Sequence, residues 1–253
     1  MALAAVHDVR LHYQRREGAG GLPVVLVHGL AANLAFWYLT VVPALPPDLP
    51  VVLYDLRGHG RSEMPRTQYT TADMAEDLHA LLGHLAIDRA HLVGHSFGGS
   101  VALHLAVLHP EEVASLVLAD ARVAALQPWP RDVSRLAQLP DLAGAAPLSP
   151  RAPARRPRPD RGRRRWRQLL DQTTARRDIA QEAGLTRERI ASLGTESLLI
   201  YGSRSHCLPS CDGLGATLGR SRTVLVPDAG HFHPVERPVL FAREVQAFVR
   251  GVG

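Results

Sequence analysis

The chain has no lysine, so all 29 of its basic residues are arginine. Its two cysteines are too few for a disulfide framework. No apolar run approaches the roughly 20 residues a membrane span needs; Leu22–Val27 and Ser115–Ala119 have strand length. The N-terminus, Met1-Ala-Leu-Ala-Ala-Val6, runs at once into His7, Asp8 and Arg10. It lacks a basic start and a small-residue cleavage site, so it reads as a poor secretion signal. The expectation is a cytoplasmic protein that neither spans nor binds a membrane. No internal repeat is visible.

What is present is a chain of 253 residues, 46% hydrophobic and 21% charged. That is enough for one large α/β domain with a sizeable core, or two small ones. The formal net charge of +5 is unevenly placed. Arg151–Arg167 holds nine arginines against one acid, Asp160, a local +8 that leaves −3 for the rest. The body is mildly acidic and the basic character sits in one tract.

Apolar runs alternate with helical patterns. Val9–Arg15 reads as a strand with alternating faces. Leu22–Val27, Pro50–Tyr54, Ala90–Val93, Ala114–Ala119, Ser197–Tyr201 and Thr223–Val226 read as strands buried on both faces. Ala35–Ala44, Thr71–Leu85, Phe97–Leu108 and Val235–Val249 read as helices. The fold class expected is α/β: a mostly parallel central sheet of about eight strands flanked by helices, with a helical lid inserted after the sixth strand. Residues 1–121 and 194–253 form the core in this reading, and residues 122–193 the lid. Prolines crowd the first half of that insertion, and Trp166–Ala183 has amphipathic helical character.

Gly94-His95-Ser96-Phe97-Gly98 follows an apolar strand and opens a helix. A serine on such a strand-to-helix turn is exposed as a nucleophile, and the new helix directs its N-terminal N–H groups at the site. A turn serine in a glycine-rich loop is the plainer alternative. His28-Gly29 ends the first buried strand, and the N–H groups of Leu30 and Phe97 would make a two-donor oxyanion hole, with the His28 side chain structural. His231, in Asp228-Ala-Gly-His-Phe232, follows the last strand, where active sites of parallel sheets lie. Among thirteen histidines it is singled out by that position. His233 beside it reads as a surface or packing residue.

Val27-His28-Gly29, Asp55-Leu-Arg-Gly-His-Gly-Arg-Ser62, Gly94–Gly99 and Ala229-Gly-His-Phe232 together resemble the α/β-hydrolase superfamily, over about residues 8–121 and 194–250. The resemblance implies a serine hydrolase needing no cofactor. It makes Asp55–Ser62 a structural turn, with His59 near the pocket. Relatives that are dehalogenases or epoxide hydrolases place Asp where Ser96 stands, which disfavours those chemistries. In the family the third triad member usually stands in a Gly-x-x-Asp turn after the strand before the last. Here that turn reads Gly202-Ser-Arg-Ser205, with a hydroxyl where a carboxylate is expected. Asp120, at the end of the preceding strand, is the favoured replacement; Asp212 and Asp228 compete.

Weaker signals remain. His206, Cys207 and Cys211 invite a metal reading, but Pro209 intervenes and a fourth ligand is not evident, so no metal is expected. The Arg/Pro tract has the charge of a nucleic-acid arm without its interleaved aromatics or fold, and reads as a solvated, partly disordered lid segment. Trp37, Trp129 and Trp166 are candidates for apolar substrate contact. The combined expectation is a Ser96–His231–Asp120 hydrolase of a small-molecule ester, thioester or lactone. The same triad run as a carbon–carbon hydrolase, acyl transferase or cyclase stays open, as does a non-catalytic binding module.

Overall fold

Four-residue to seven-residue stretches with no polar face force the architecture. Every position of Val24–Val27 (β3), Val51–Tyr54 (β4), Ala90–His95 (β5), Val113–Ala119 (β6) and Ser197–Gly202 (β7) is buried. Such strands must be covered on both sides, which favours a parallel sheet between helical layers. The computed structural model describes residues 2–19, 21–128, 161–181 and 184–252. Its eight-stranded sheet has the order β1-β2-β4-β3-β5-β6-β7-β8, adding Ala2–Val6 (β1), Val9–Arg16 (β2) and Ser221–Val226 (β8). β1 and β2 pair antiparallel at one edge, β2 pairs antiparallel with β4, and every later pairing is parallel.

Alternation along each strand divides the core in two. Val25, Val27, Leu92, Leu116, Leu118 and Tyr201 face one layer with Thr71–His84 (α2) and Phe97–Leu108 (α3). Val24, Leu26, Leu53, Val93, Val117 and Ile200 face the other, under Ala35–Tyr38 (α1) and the C-terminal helix. Thr70 caps α2 in a reciprocal capping box with Asp73, which fixes where that helix begins.

Between β6 and β7 the described residues form Arg161–Gln172 (α4), Ala175–Asp178 (α5) and Arg187–Ala191 (α6). Trp166, Leu169 and Leu170 of α4 are buried against the α2–α3 layer, a stripe at helical spacing. The C-terminal end of the Arg/Pro tract is therefore helix, with Arg163, Arg164 and Arg167 on its exposed side. The rest of that tract lies outside the described residues. After β7 comes Leu208–Gly215 (α7), and after β8 come His233–Glu236 (α8) and Pro238–Gly251 (α9).

Four readings from sequence are corrected, the first being Thr223–Val226, expected to be buried on both faces: in β8, the last strand of the sheet, Val226 alone is buried. Ala35–Ala44 is not one helix: α1 ends at Tyr38 and Val42–Ala44 is a 3-10 turn, with Pro43 supplying no N–H to continue the ladder. Val235–Val249 is two helices, α8 and α9, because Pro238 restarts the pattern after Arg237. β1 was not anticipated; its pairing with β2 through Ala2–Val6 gives the alanine-rich start a sheet edge. Among the described residues no helix is long and apolar enough to cross a membrane.

Candidate active site

Ser96 joins β5 to α3 at φ 54° and ψ −122°, in the left-handed half of backbone space where a side chain is strained. Strain of this kind persists only where the surroundings over-determine it. Here the Ser96 N–H is held by the Ala119 carbonyl at 2.9 Å. The elbow is also too tight for side chains: a Cβ on Gly94 would lie 2.3 Å from the Gly98 carbonyl oxygen, and one on Gly98 would lie 2.4 Å from the His28 carbonyl oxygen. The two glycines let the elbow close onto itself and onto the end of β3. Ser96 itself is half-buried.

The loop after β3 is pinned from below. The ring of His28 is fully buried; Nδ1–H donates to the Gly29 carbonyl at 2.8 Å and Nε2 accepts from the Leu56 N–H at 3.1 Å. Its role is to shape the loop that carries Leu30. Asp55 does similar work, accepting from the Leu34 N–H at 2.7 Å and the Arg61 N–H at 2.9 Å, with His12 Nδ1 at 2.8 Å. The Asp55–Ser62 turn is thus a clamp between the loop and β2. Leu30 and Phe97, the residues at the two edges of this corner, are both buried.

His231 lies in the turn after β8, tied to the residue beside Ser96: His95 Nε2–H donates to the His231 carbonyl at 2.9 Å, and the two rings are 4.8 Å apart. Its Nδ1 is 3.0 Å from Asp120 Oδ2, 111 residues away in sequence. That leaves Nε2 for the reacting group. Asp120 is fully buried at the end of β6, at φ 48°. The Gly202 N–H donates to its Oδ1 at 2.9 Å, and the Ser205 hydroxyl donates to its Oδ2. His233 Nε2 stands 3.5 Å from Oδ1. Burial pushes the Asp120 carboxyl up to about 6, against the lowering effect of His233, the Ser205 hydroxyl and the Gly202 N–H. Burial, with smaller contributions from His206 and Arg122, pushes His231 down to about 3. The imidazole is therefore neutral at rest, the form a general base requires.

The family model for the alpha/beta hydrolase fold matches residues 23–195. The chain belongs to the α/β-hydrolase family. This α/β hydrolase is 44% identical over 112 residues to the putative carbamate hydrolase RutD of Variovorax paradoxus, covering 44% of this chain and 42% of that protein. It is 36% identical over 139 residues to the lipase LipV of Mycobacterium tuberculosis, covering 55% of this chain and 50% of LipV. The matched stretches thus span about half or less of these relatives' own length. Among solved structures it resembles the enol-lactonase of Burkholderia xenovorans LB400, with a TM-score of 0.74 and 26% identity, covering 98% of this chain and 100% of that one.

The remaining residues singled out in the hydrolase sequence fall in different places. Asp228 is exposed beside Arg204, and Asp212 is exposed on α7, so Asp120 is the carboxylate at His231. Trp37 is corrected: it is fully buried in the layer under the C-terminal helix, its ring stacked on Phe241 at 5.7 Å, and it serves as core. Trp166 is buried beside His59, the rings 6.1 Å apart. Trp129 lies outside the described residues. His206, Cys207 and His231 approach within 4.8 Å of one another. Burial pushes the Cys207 thiol up to about 12, and Nδ1 of His231 faces Asp120, so this trio offers poor metal donors. Sequence reasoning missed two participants. Ser205 marked a lost acid, and its hydroxyl is a partner of the relocated one. His233, taken for packing or surface, is fully buried against Asp120; its only sequence signal was its closeness to His231.

Proposed function

We propose that this chain is a serine hydrolase that cleaves an ester, thioester or lactone of a small molecule through an acyl-enzyme on Ser96, without a cofactor. The observation that carries the reading is the 3.0 Å contact between Asp120 Oδ2 and His231 Nδ1, formed beside a serine held at positive φ. Ser96 Oγ attacks the acyl carbonyl while His231 Nε2 takes its proton. The Leu30 and Phe97 N–H groups donate to the oxyanion, and the Asp120 carboxylate stabilises the imidazolium. Collapse expels the alcohol or thiol, which leaves with the proton from His231. Water then attacks the acyl-enzyme, gives its proton to His231, and frees the acid and Ser96. Trp166 and Trp129 are the proposed apolar contacts to substrate, the residues between β6 and β7 act as its lid, and the protein works in the cytoplasm.

Supporting this are the lipase and the enol-lactonase that the chain resembles, whose names describe ester and lactone cleavage. A catalytically silent binding module drew its motive from Ser205 in the usual acid position, and Asp120 supplies the carboxylate that idea required to be missing. The test is a series of p-nitrophenyl esters from acetyl to octanoyl. The reading expects turnover that disappears in Ser96→Ala. Hydrolysis at equal rates in both proteins, or none in the folded wild type across the series, would overturn it.

A further inference from the structure

Between the loop after Leu30 and helix α4 lies a small cavity of about 130 Å³. Ala31, Ala32 and Asn33 form one wall, and His59, Arg165 and Trp166 form the other. The first wall is the direct continuation of the proposed oxyanion loop. The second carries three nitrogen atoms that are shielded from solvent and have no hydrogen-bond partner: His59 Nε2, Arg165 Nε and Trp166 Nε1. Polar atoms left unmade in an interior are costly, and three of them around one cavity indicate a group that completes them.

The chemistry of that group follows from the three atoms. Trp166 Nε1 and Arg165 Nε can only donate. Arg165 is half-buried, gives one N–H to the Ser62 carbonyl, and has no carboxylate within ion-pair distance among the described residues. His59 donates Nδ1–H to the Arg57 carbonyl at 2.9 Å, and burial pushes its ring down to about 3, so Nε2 bears a lone pair and the donors of the cavity are Arg165 and Trp166. One guanidinium balances one negative charge, so a monoanion fits better than a doubly charged phosphate. The cavity is slightly smaller than one of about 150 Å³ that holds a benzene ring, so it has room for a carboxylate and a few methylenes.

We propose that this cavity is a carboxylate subsite, in which Arg165 and Trp166 hold the far end of an acyl substrate that carries an acid group, such as a half-ester of a short dicarboxylic acid. Naming the occupant as substrate rests on the serine hydrolase reading; the affinity for a carboxylate does not. The subsite also gives α4 a purpose: the turn that docks through Trp166 and Leu169 also carries the cation to the wall that faces the loop after Leu30.

Two measurements test it together. In the first, glutarate and its uncharged analogue glutaramide are titrated calorimetrically into the Ser96→Ala protein, alone and with Arg165→Gln or Trp166→Phe added. Glutarate should bind at least tenfold more tightly than glutaramide, Arg165→Gln should abolish the difference, and Trp166→Phe, which keeps the ring and deletes only the N–H, should reduce it severalfold. In the second, kcat/KM is compared for mono-p-nitrophenyl glutarate and p-nitrophenyl valerate, and the wild type should favour the acid-bearing ester at least tenfold. Equal binding of the two titrants, or glutarate affinity indifferent to both variants, would overturn the subsite. Hydrolysis of both esters at equal rates would do the same while leaving the hydrolase reading intact. Arg165-dependent glutarate binding with no ester turnover would uphold the subsite and sink the hydrolase reading instead.

Discussion

At the scale of single residues, the carboxylate beside His231 stands one strand away from the turn where the family resemblance leads one to expect it. Ser205 occupies the turn after β7 where a carboxylate was expected, and Asp120 sits at the end of β6 with the Ser205 hydroxyl bonded to it. The pair behaves as one carboxylate shared between two strand ends. Replacing Asp120 with Asn keeps the shape but leaves His231 without a charged partner. An amide in the acid position of a related triad costs about 10⁴ in turnover, so Asp120→Asn should lower kcat by at least about 10² with KM nearly unchanged. Asp228→Asn, at an exposed loop position, should do far less. The same dyad sets the acid limb of the pH profile. With Asp120 raised to about 6 and His231 lowered to about 3, the dyad takes up its first proton near pH 6 and loses its active form. Accordingly kcat/KM should fall as pH drops through about 6. Because the Ser205 hydroxyl favours the charged carboxylate, Ser205→Ala should move that midpoint upward; a profile flat to pH 4 would contradict the assignment. The places of Ser96 and His231 were legible from their turns, since each lies just after a strand of the parallel sheet. Asp120 was legible only as the best of three acids, because sequence shows which strand an acid follows but not which strand ends lie side by side.

At the scale of elements, the active corner depends on how closely β3, β5 and α3 approach. The Gly98 position is the sharpest case: a methyl there would meet the His28 carbonyl oxygen at 2.4 Å and the Val27 carbonyl oxygen at 2.5 Å, both backbone atoms that cannot swing away. Gly98→Ala should therefore destabilise the fold by about 1–3 kcal/mol, the usual cost of overpacking, and should push the elbow off the oxyanion loop. A lowered melting temperature together with reduced turnover checks this; an unchanged melt would show that the elbow is looser than described. The helices that sequence read well, α2 and α3, carry their own start signals, a capping box and a strand-to-helix turn. Those it misread are governed by proline. Pro43 and Pro238 break patterns whose apolar spacing alone looks continuous, so periodicity overruled punctuation in the reading. Trp37 was misassigned for a related reason. It stands just past the oxyanion loop in sequence, yet its ring crosses to the opposite face of the sheet and packs on Phe241. Nearness along the chain says little about which layer a side chain enters.

At the scale of the whole molecule, the sheet gathers its chemistry at one edge. Ser96, Asp120 and His231 follow β5, β6 and β8, so residues spread over more than half the chain meet at the strands' C-terminal ends. The alternation of buried strands and helices was enough to foresee that, because parallel connection leaves few other arrangements. The basic tract tells a different story. Its charge is concentrated, but where it is described it forms the exposed side of α4, with the apolar stripe turned to the core. Among the described residues the aromatic side chain that accompanies it, Trp166, is buried. An oligonucleotide should therefore bind only in the non-specific range, with dissociation constants of about 10⁻⁴ to 10⁻⁶ M at physiological salt and a steep loss as salt rises. Nanomolar, sequence-dependent binding in a fluorescence anisotropy titration would contradict that expectation.

The central claim is that the strained serine at the end of β5 is a nucleophile activated by His231. The most direct measurement is covalent: the folded protein is treated with a fluorophosphonate probe, digested, and mapped by mass spectrometry. Since the probe reacts with a serine whose proton is taken by a neighbouring base, the account predicts a single adduct on Ser96, lost in Ser96→Ala and strongly slowed in His231→Ala. Absence of an adduct at Ser96 on folded protein, or labelling at undiminished rate in His231→Ala, would contradict it.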